Sequence, residues 1–148
     1  MMKKILLFLL PITLLSGCQK NNEPSHKEPH YQEVEEYHIE WKDIFSQQQD
    51  KYYVYVYSIA CPQCSALRED ITNIAKKGFA HLYFVYPDDD IAFTRNEEEA
   101  DNSLGASSLE NVYIYTTPTL MEFTNKEITS YTRDYYEIRN FIDSYTNN

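Results

Sequence analysis

Cys61-Pro62-Gln63-Cys64 stands where the chain changes period. Before it runs Tyr52-Tyr53-Val54-Tyr55-Val56-Tyr57, aromatic and β-branched, which suits a pleated strand. After it, Leu67, Ile71, Ile74 and Ala75 recur at i, i+4, i+7 and i+8, the stripe of an amphipathic helix over 62–77 with Gly78 as its stop. The junction sets Cys61 at a helix N-terminus, where unpaired N–H groups and the macrodipole favour negative charge. The thiolate is the species that attacks a disulfide, so Cys61 is the expected nucleophile. Cys64, one turn on, is close enough to close a disulfide behind it. Pro62 is tolerated in the first turn because it has no N–H to lose.

A C-x-x-C also occurs as half of a zinc site or as an inert structural bridge. Zinc takes about four ligands, and no second cysteine pair follows. His26, His30 and His38 fall in or near a polar N-terminal stretch, and His81 stands alone. A bridge across so short a loop adds little stability. The redox reading is therefore the one carried forward, with no metal and no organic cofactor.

The first residues bear on where this chemistry takes place. Lys3 and Lys4 precede an apolar run, Ile5–Leu10 and Ile12–Leu15, broken by Pro11. The run is shorter than the roughly 20 residues that span a bilayer, so it reads as a signal segment, 1–17. It ends in Leu15-Ser16-Gly17-Cys18, which resembles the lipobox of bacterial lipoproteins. That resemblance implies cleavage before Cys18 and lipid attachment there; an ordinary secretory signal abutting a cysteine is the alternative. Lipidation of Cys18 would leave Cys61 and Cys64 as the one remaining pair among three cysteines. It would hold the protein at the cell membrane on its extracytoplasmic face, where disulfides persist.

Residues 1–17 carry two lysines and no acid, so their removal takes the formal charge from −10 to −12. The basic residues form no stripe, which argues against nucleic acid as a partner. The acidity is read as a solvated surface. Residues 18–38 hold Glu23-Pro24-Ser25, Glu28-Pro29 and Glu33-Val34-Glu35-Glu36, and are expected to be a polar tether. The remaining 39–148 make one domain.

Within that domain a short helix is expected near 40–48, with Trp41, Ile44 and Phe45 on one face. Strand 52–58, helix 62–77 and strand 81–86 should form a right-handed parallel crossover. An acidic stretch, 88–110, contains a helix start at Glu97-Glu98-Glu99-Ala100. Strands at 112–115 and 119–123 flank Thr117-Pro118, a turn at 124–126 leads to strand 127–131, and a last helix spans 134–145. Asp134 and Glu137 have the spacing of a capping box. The 14 tyrosines are read as packing residues with polar tips.

This order, with Cys61-Pro62-Gln63-Cys64 and Thr117-Pro118-Thr119-Leu120 as two separated motifs, resembles the thioredoxin superfamily over about residues 40–148. The resemblance implies an α/β thioredoxin-like fold, a central mixed sheet flanked by helices, with 88–110 as an acidic insertion before the cis-proline strand. It implies that Pro118 is cis and faces the cysteines, and that Thr117 offers its backbone to an extended substrate. Pro62, Gln63, Thr117 and Pro118 are the expected substrate-facing residues, with Cys61 and Cys64 catalytic. Thioredoxin has a buried Asp where this chain has Tyr55, and a buried Lys where Phe84 or its neighbour stands. Its Trp before the first cysteine is Ala60 here. In this trait the chain looks more like the membrane-anchored Gram-positive thiol–disulfide oxidoreductases, including those found with bacteriocin or prophage genes.

The activity so implied is disulfide exchange with thiols and disulfides of exported proteins or peptides, with a separate redox partner resetting the pair. Losing the buried Asp tilts the site toward oxidation and the surrounding acidity tilts it back, so the direction of exchange stays open. A redox-inert lipoprotein that uses the fold to bind peptides or assist a transporter is the alternative, with 88–110 as its recognition surface. Delivery of reductant to cytochrome apoprotein or copper-site thiols is a third reading.

Overall fold

The computed structural model describes residues 29–87 and 90–146. The signal segment, Cys18, the outer tether to residue 28, and Asp88 and Asp89 lie outside the described residues.

β1 (Lys51–Val56) is the central strand, and both of its faces are covered. Tyr53 and Tyr55, with Tyr57 just beyond the strand, turn to one layer, while Tyr52, Val54 and Val56 turn to the other. Two-sided burial explains why the run is apolar throughout and not alternating. The sheet order is β2-β1-β3-β4. β2 (Leu82–Val85) lies parallel to β1, and α1 (Pro62–Lys76) makes the crossover between them. β3 (Thr119–Thr124) runs antiparallel to β1, and β4 (Glu127–Thr132) antiparallel to β3. The β3–β4 turn puts Asn125 and Lys126 at φ 50° and 63°, the left-handed pair that a two-residue hairpin favours. The result is the expected thioredoxin-like mixed sheet flanked by helices.

α1 ends as its sequence dictates. Gly78 sits at φ 66°, its N–H bonds to Ala75 O at 2.9 Å, and Phe79 N–H reaches Ile74 O at 3.1 Å. These are the two closing bonds of a Schellman motif. α1 buries Leu67, Ile71, Ile74 and Ala75 against the first face of the sheet, together with Ile138 and Ile142 of α3 (Tyr135–Thr146). The α3 cap departs from a simple capping box. Asp134 Oδ1 accepts from Tyr136 N–H at 2.8 Å and Glu137 N–H at 3.0 Å. The return arm passes through Thr132, whose hydroxyl accepts from Asp134 N–H and donates to the Glu137 carboxylate.

Three expectations need correction. The tether does not extend to residue 38: Pro29–Tyr37 is a strap of 3₁₀ turns that buries Tyr31 and Val34 in the core beside α1. Tyr31 stacks on Tyr57 with ring centroids 3.8 Å apart, and Arg68 of α1 bonds Glu33 of the strap at 3.3 Å. The strap then runs along β2, where Ile39 N–H meets Phe84 O at 3.0 Å and covers a sheet edge. The packed chain thus begins by Tyr31, ahead of the boundary expected at 39. Next, the helix expected near 40–48 is a single 3₁₀ turn, Trp41–Asp43. Its backbone bonds keep i→i+3 spacing, Ile44 N–H to Trp41 O at 3.3 Å and Ser46 N–H to Asp43 O at 2.9 Å, while Gln47 Nε2 also bonds Asp43 O at 2.9 Å and the Tyr52 hydroxyl donates to Ile44 O at 2.8 Å. Lastly, 112–115 forms one isolated bridge, Ile114 to Phe93, and not a strand.

The described part of the acidic stretch is folded onto the second layer. α2 (Glu97–Asp101) starts at Asn96, whose side chain accepts from Glu98 N–H at 3.0 Å. Gly105 N–H donates to Ile128 O at 2.8 Å, and Ile128 N–H donates to Ala106 O at 2.9 Å, tying the stretch to β4. Ile91, Ala106, Val112 and Ile114 pack with Val54, Met121 and Phe123.

Candidate active site

The strand-to-helix switch places the cysteines. β1 delivers the chain to Ser58, a turn follows in which Cys61 N–H bonds Ser58 O at 3.3 Å, and α1 starts at Pro62 with Cys61 as its N-cap. Cys61 has extended backbone angles, φ −94° and ψ 109°, as an N-cap does. Its Sγ accepts from the Cys64 N–H at 3.1 Å. A sulfur there takes the place of the oxygen that a Ser or Asp cap would offer. The same N–H and the helix dipole face the sulfur with partial positive charge, which suits a thiolate at Cys61.

Cys61 and Cys64 are disulfide-bonded, with Cα atoms 5.2 Å apart. The two sulfurs differ in access: Cys61 is 9 % exposed and lines an open cleft, whereas Cys64 is 1 % exposed and faces the core. Across the cleft the Thr117–Pro118 peptide is cis, and Thr117 O lies 3.2 Å from Cys61 Sγ. Thr119 begins β3 fully buried, its hydroxyl bonded to Thr116 O at 2.7 Å, which pins the turn to the sheet.

The cleft measures about 310 Å³ and is lined by Ser58, Ala60, Cys61, Pro62, Gln63, Thr116 and Thr117. The structure therefore brings together four residues expected at the site, Cys61, Pro62, Gln63 and Thr117, with Pro118 in the adjoining cis bond and Cys64 behind. Cys18 lies outside the described residues. Ser58, Ala60 and Thr116 were not expected; their nearness to the two motifs along the chain is the one signal that could have found them. None of the described residues that line the cleft is charged. Among the described residues no three His, Cys, Asp or Glu side chains gather as a metal site requires.

Behind the cysteines the core presents hydroxyls. The Tyr31 hydroxyl donates to Cys64 O at 3.3 Å. His38 Nε2 meets the Tyr57 hydroxyl at 2.7 Å, while its Nδ1 lies 3.1 Å from Val34 O. The carbonyl can only accept, so Nδ1 carries a proton; when the ring is neutral, Nε2 accepts from the Tyr57 hydroxyl. Tyr55 occupies the position where the resemblance places a buried acid, and it is fully enclosed. Burial pushes the Tyr31 hydroxyl up to about 12 and holds Tyr55 well above the usual tyrosine range, so both are neutral at physiological pH.

Comparison with known proteins adds two findings. Residues 2–19 match the prokaryotic membrane lipoprotein lipid attachment site, the signal of a lipid-anchored membrane protein. No curated protein matches the chain. Among solved structures the chain is similar to the N21Q mutant thioredoxin of Halobacterium salinarum NRC-1, at 19 % identity and TM-score 0.41, covering 74 % of this chain and 90 % of that one. It is also similar to thioredoxin f2 of Chlamydomonas reinhardtii, at 16 % identity and TM-score 0.43, covering 72 % and 93 %. A third is Plasmodium falciparum thioredoxin, at 17 % identity and TM-score 0.44, covering 73 % and 97 %. Identities this low transfer no activity.

Proposed function

We propose that this chain is a lipid-anchored thiol–disulfide oxidoreductase that acts outside the cytoplasm on exported proteins or peptides, with Cys61 as nucleophile and Cys64 as resolving cysteine. The observation that carries the reading is the asymmetry of the pair. Cys61 Sγ opens on a cleft at a helix N-terminus and accepts the Cys64 N–H, while Cys64 is closed off in the core. A substrate sulfur therefore has access to Cys61 alone.

In the oxidising direction a substrate thiolate attacks Cys61 Sγ. The Cys61–Cys64 bond breaks and its electron pair leaves on Cys64. A second substrate thiolate then attacks the substrate sulfur of the mixed disulfide, and Cys61 leaves as a thiolate. The two protons lost by the substrate thiols are taken up by Cys61 and Cys64. The substrate gains a disulfide and the protein becomes a dithiol; the same steps reversed reduce a substrate. Thr117, whose carbonyl borders Cys61 Sγ, offers backbone to an extended substrate, and Pro62, Gln63 and Pro118 shape the groove around it. A redox partner of opposite direction resets the pair after each cycle.

Trapping tests the assignment. In a Cys64→Ser variant the mixed disulfide on Cys61 has no resolving thiol, so a covalent, dithiothreitol-sensitive complex accumulates. Cys61→Ser forms no complex, and its turnover of a disulfide substrate falls to the uncatalysed background. Full turnover by Cys61→Ser overturns the reading.

A further inference from the structure

The core cluster that encloses Cys61 and Cys64 also contains Tyr31, Tyr53, Tyr55 and Tyr57, and the buried polar side chains among the described residues outside it, Thr72, Ser103 and Thr119, include no acid. Tyr55 is 0 % exposed, and among the described residues its hydroxyl is the one buried side-chain polar atom without a hydrogen-bond partner. The Tyr31 hydroxyl is its nearest polar influence, each raising or lowering the other's proton affinity, and Tyr31 in turn donates to the Cys64 carbonyl at 3.3 Å. A buried hydroxyl left unpaired destabilises the state that contains it. Packing alone does not call for it, since phenylalanine has the same ring.

The hydroxyl is unpaired in the disulfide form. Opening the disulfide creates a new acceptor in the same cluster. The electron pair of the broken S–S bond stays on Cys64 Sγ, a thiolate shut away from water and free to turn about its Cα–Cβ bond. We infer that the Tyr55 hydroxyl is the internal hydrogen-bond donor to Cys64 Sγ in the reduced protein, to the leaving thiolate as the bond opens and to the thiol sulfur once it has taken up its proton, so that the core favours the reduced pair and makes the protein an oxidant of substrate thiols. This direction rests on the oxidoreductase reading above. Tyr55 keeps its proton, because its hydroxyl is far less acidic than a thiol, and so it solvates the leaving sulfur without transferring a proton to it. A carboxylate in this place would act oppositely, repelling negative charge on Cys64. Other titratable or charged groups of this layer include Tyr57 and, packed against it, Tyr37, Tyr86, Tyr135 and Tyr145, with Glu33 and His38 on the N-terminal segment and Arg68 on α1. Arg68 is engaged with Glu33, and His38 with Tyr57.

The test is Tyr55→Phe, which removes one oxygen and keeps the ring. Equilibration of the soluble domain, residues 19–148, against glutathione reads the Cys61–Cys64 pair whether or not any protein substrate is turned over. The equilibrium constant for reduction should fall roughly tenfold, about 30 mV toward a more reducing pair. Urea unfolding should show the oxidised form at least as stable as wild type and the reduced form less stable. Tyr52→Phe is the control. Its hydroxyl lies on the opposite face of β1, bonded to Ile44 O at 2.8 Å, so its loss should weaken both redox forms alike and leave the constant unchanged. An unchanged constant in Tyr55→Phe, or equal destabilisation of its two forms, overturns the inference. Failure of the Cys64→Ser trap would instead remove the oxidoreductase reading and leave this equilibrium result standing.

Discussion

Gln63 is exposed in the lining of the cleft, adjacent to Cys64 in the chain and separated from Cys61 by Pro62, and the described lining carries no charge. It leaves the helix N-terminus as the main source of positive potential at Cys61, through partial charges alone. A full charge at residue 63 would add to that potential or oppose it, reduced by solvent because the position is open. Below the thiol pKa the thiolate fraction, and with it the alkylation rate, rises as the pKa falls. We expect Gln63→Lys to speed iodoacetamide alkylation of reduced Cys61 roughly threefold at acidic pH, and Gln63→Glu to slow it by a similar factor. The gap should close as pH rises above the pKa of both variants, where Cys61 is fully ionised in each. Rates that do not respond to the sign of the charge would mean that residue 63 lies outside the field felt by Cys61.

Among the elements, the strap Pro29–Tyr37 does most that its sequence does not announce. Tyr31, Val34 and Tyr37 recur every third residue, the period of a 3₁₀ turn, but among Gln, Glu and His neighbours the run is too short to announce a packed element. Their burial comes from Tyr57, Phe84 and α1, partners far along the chain. Elements whose own period matches their packed face were legible: β1 with its two covered faces, α1 with its stripe and Gly78 stop, the hairpin at Asn125-Lys126, and α3. The two motifs of the cleft were legible as well, because a C-x-x-C at a helix start and a Thr-Pro before a strand are local patterns. The hydroxyl layer behind Cys64 was not, since it is assembled from the strap and β1 together. We expect Tyr31→Ala to cost about 3 kcal/mol, by loss of a buried ring and its cavity, measured by urea unfolding of residues 19–148. Because Tyr31 also holds the Cys64 carbonyl, the same change should loosen the first turn of α1, seen as faster amide exchange at Cys64 and Ser65. A domain that loses under 1 kcal/mol would show the strap to be an accessory layer.

At the scale of the molecule, the charge and the anchor work in opposite senses. With residues 1–17 removed the chain carries −12, which repels it from an anionic membrane surface. No helix among the described residues is long and apolar enough to cross a bilayer. The lipid attachment signal lies at residues 2–19. Each buried methylene of an acyl chain contributes about 0.8 kcal/mol, so two or more chains on one cysteine outweigh the repulsion of a screened acidic surface. The anchor also limits reach. The strap starts at Pro29, and with the lipid on Cys18 the eleven residue steps between them would extend at most about 40 Å and so would hold the cleft close to the bilayer. We expect Cys18→Ser to move the protein from the membrane pellet to the soluble fraction. Its equilibrium with glutathione should be unchanged, because Cys18 precedes the strap and takes no part in the Cys61–Cys64 pair. Exchange with a membrane-held substrate should drop while exchange with a soluble peptide persists, since the substitution alters concentration at the surface and leaves the site intact. Retention of Cys18→Ser in the pellet through a high-salt wash would mean that something other than the lipid holds the protein there.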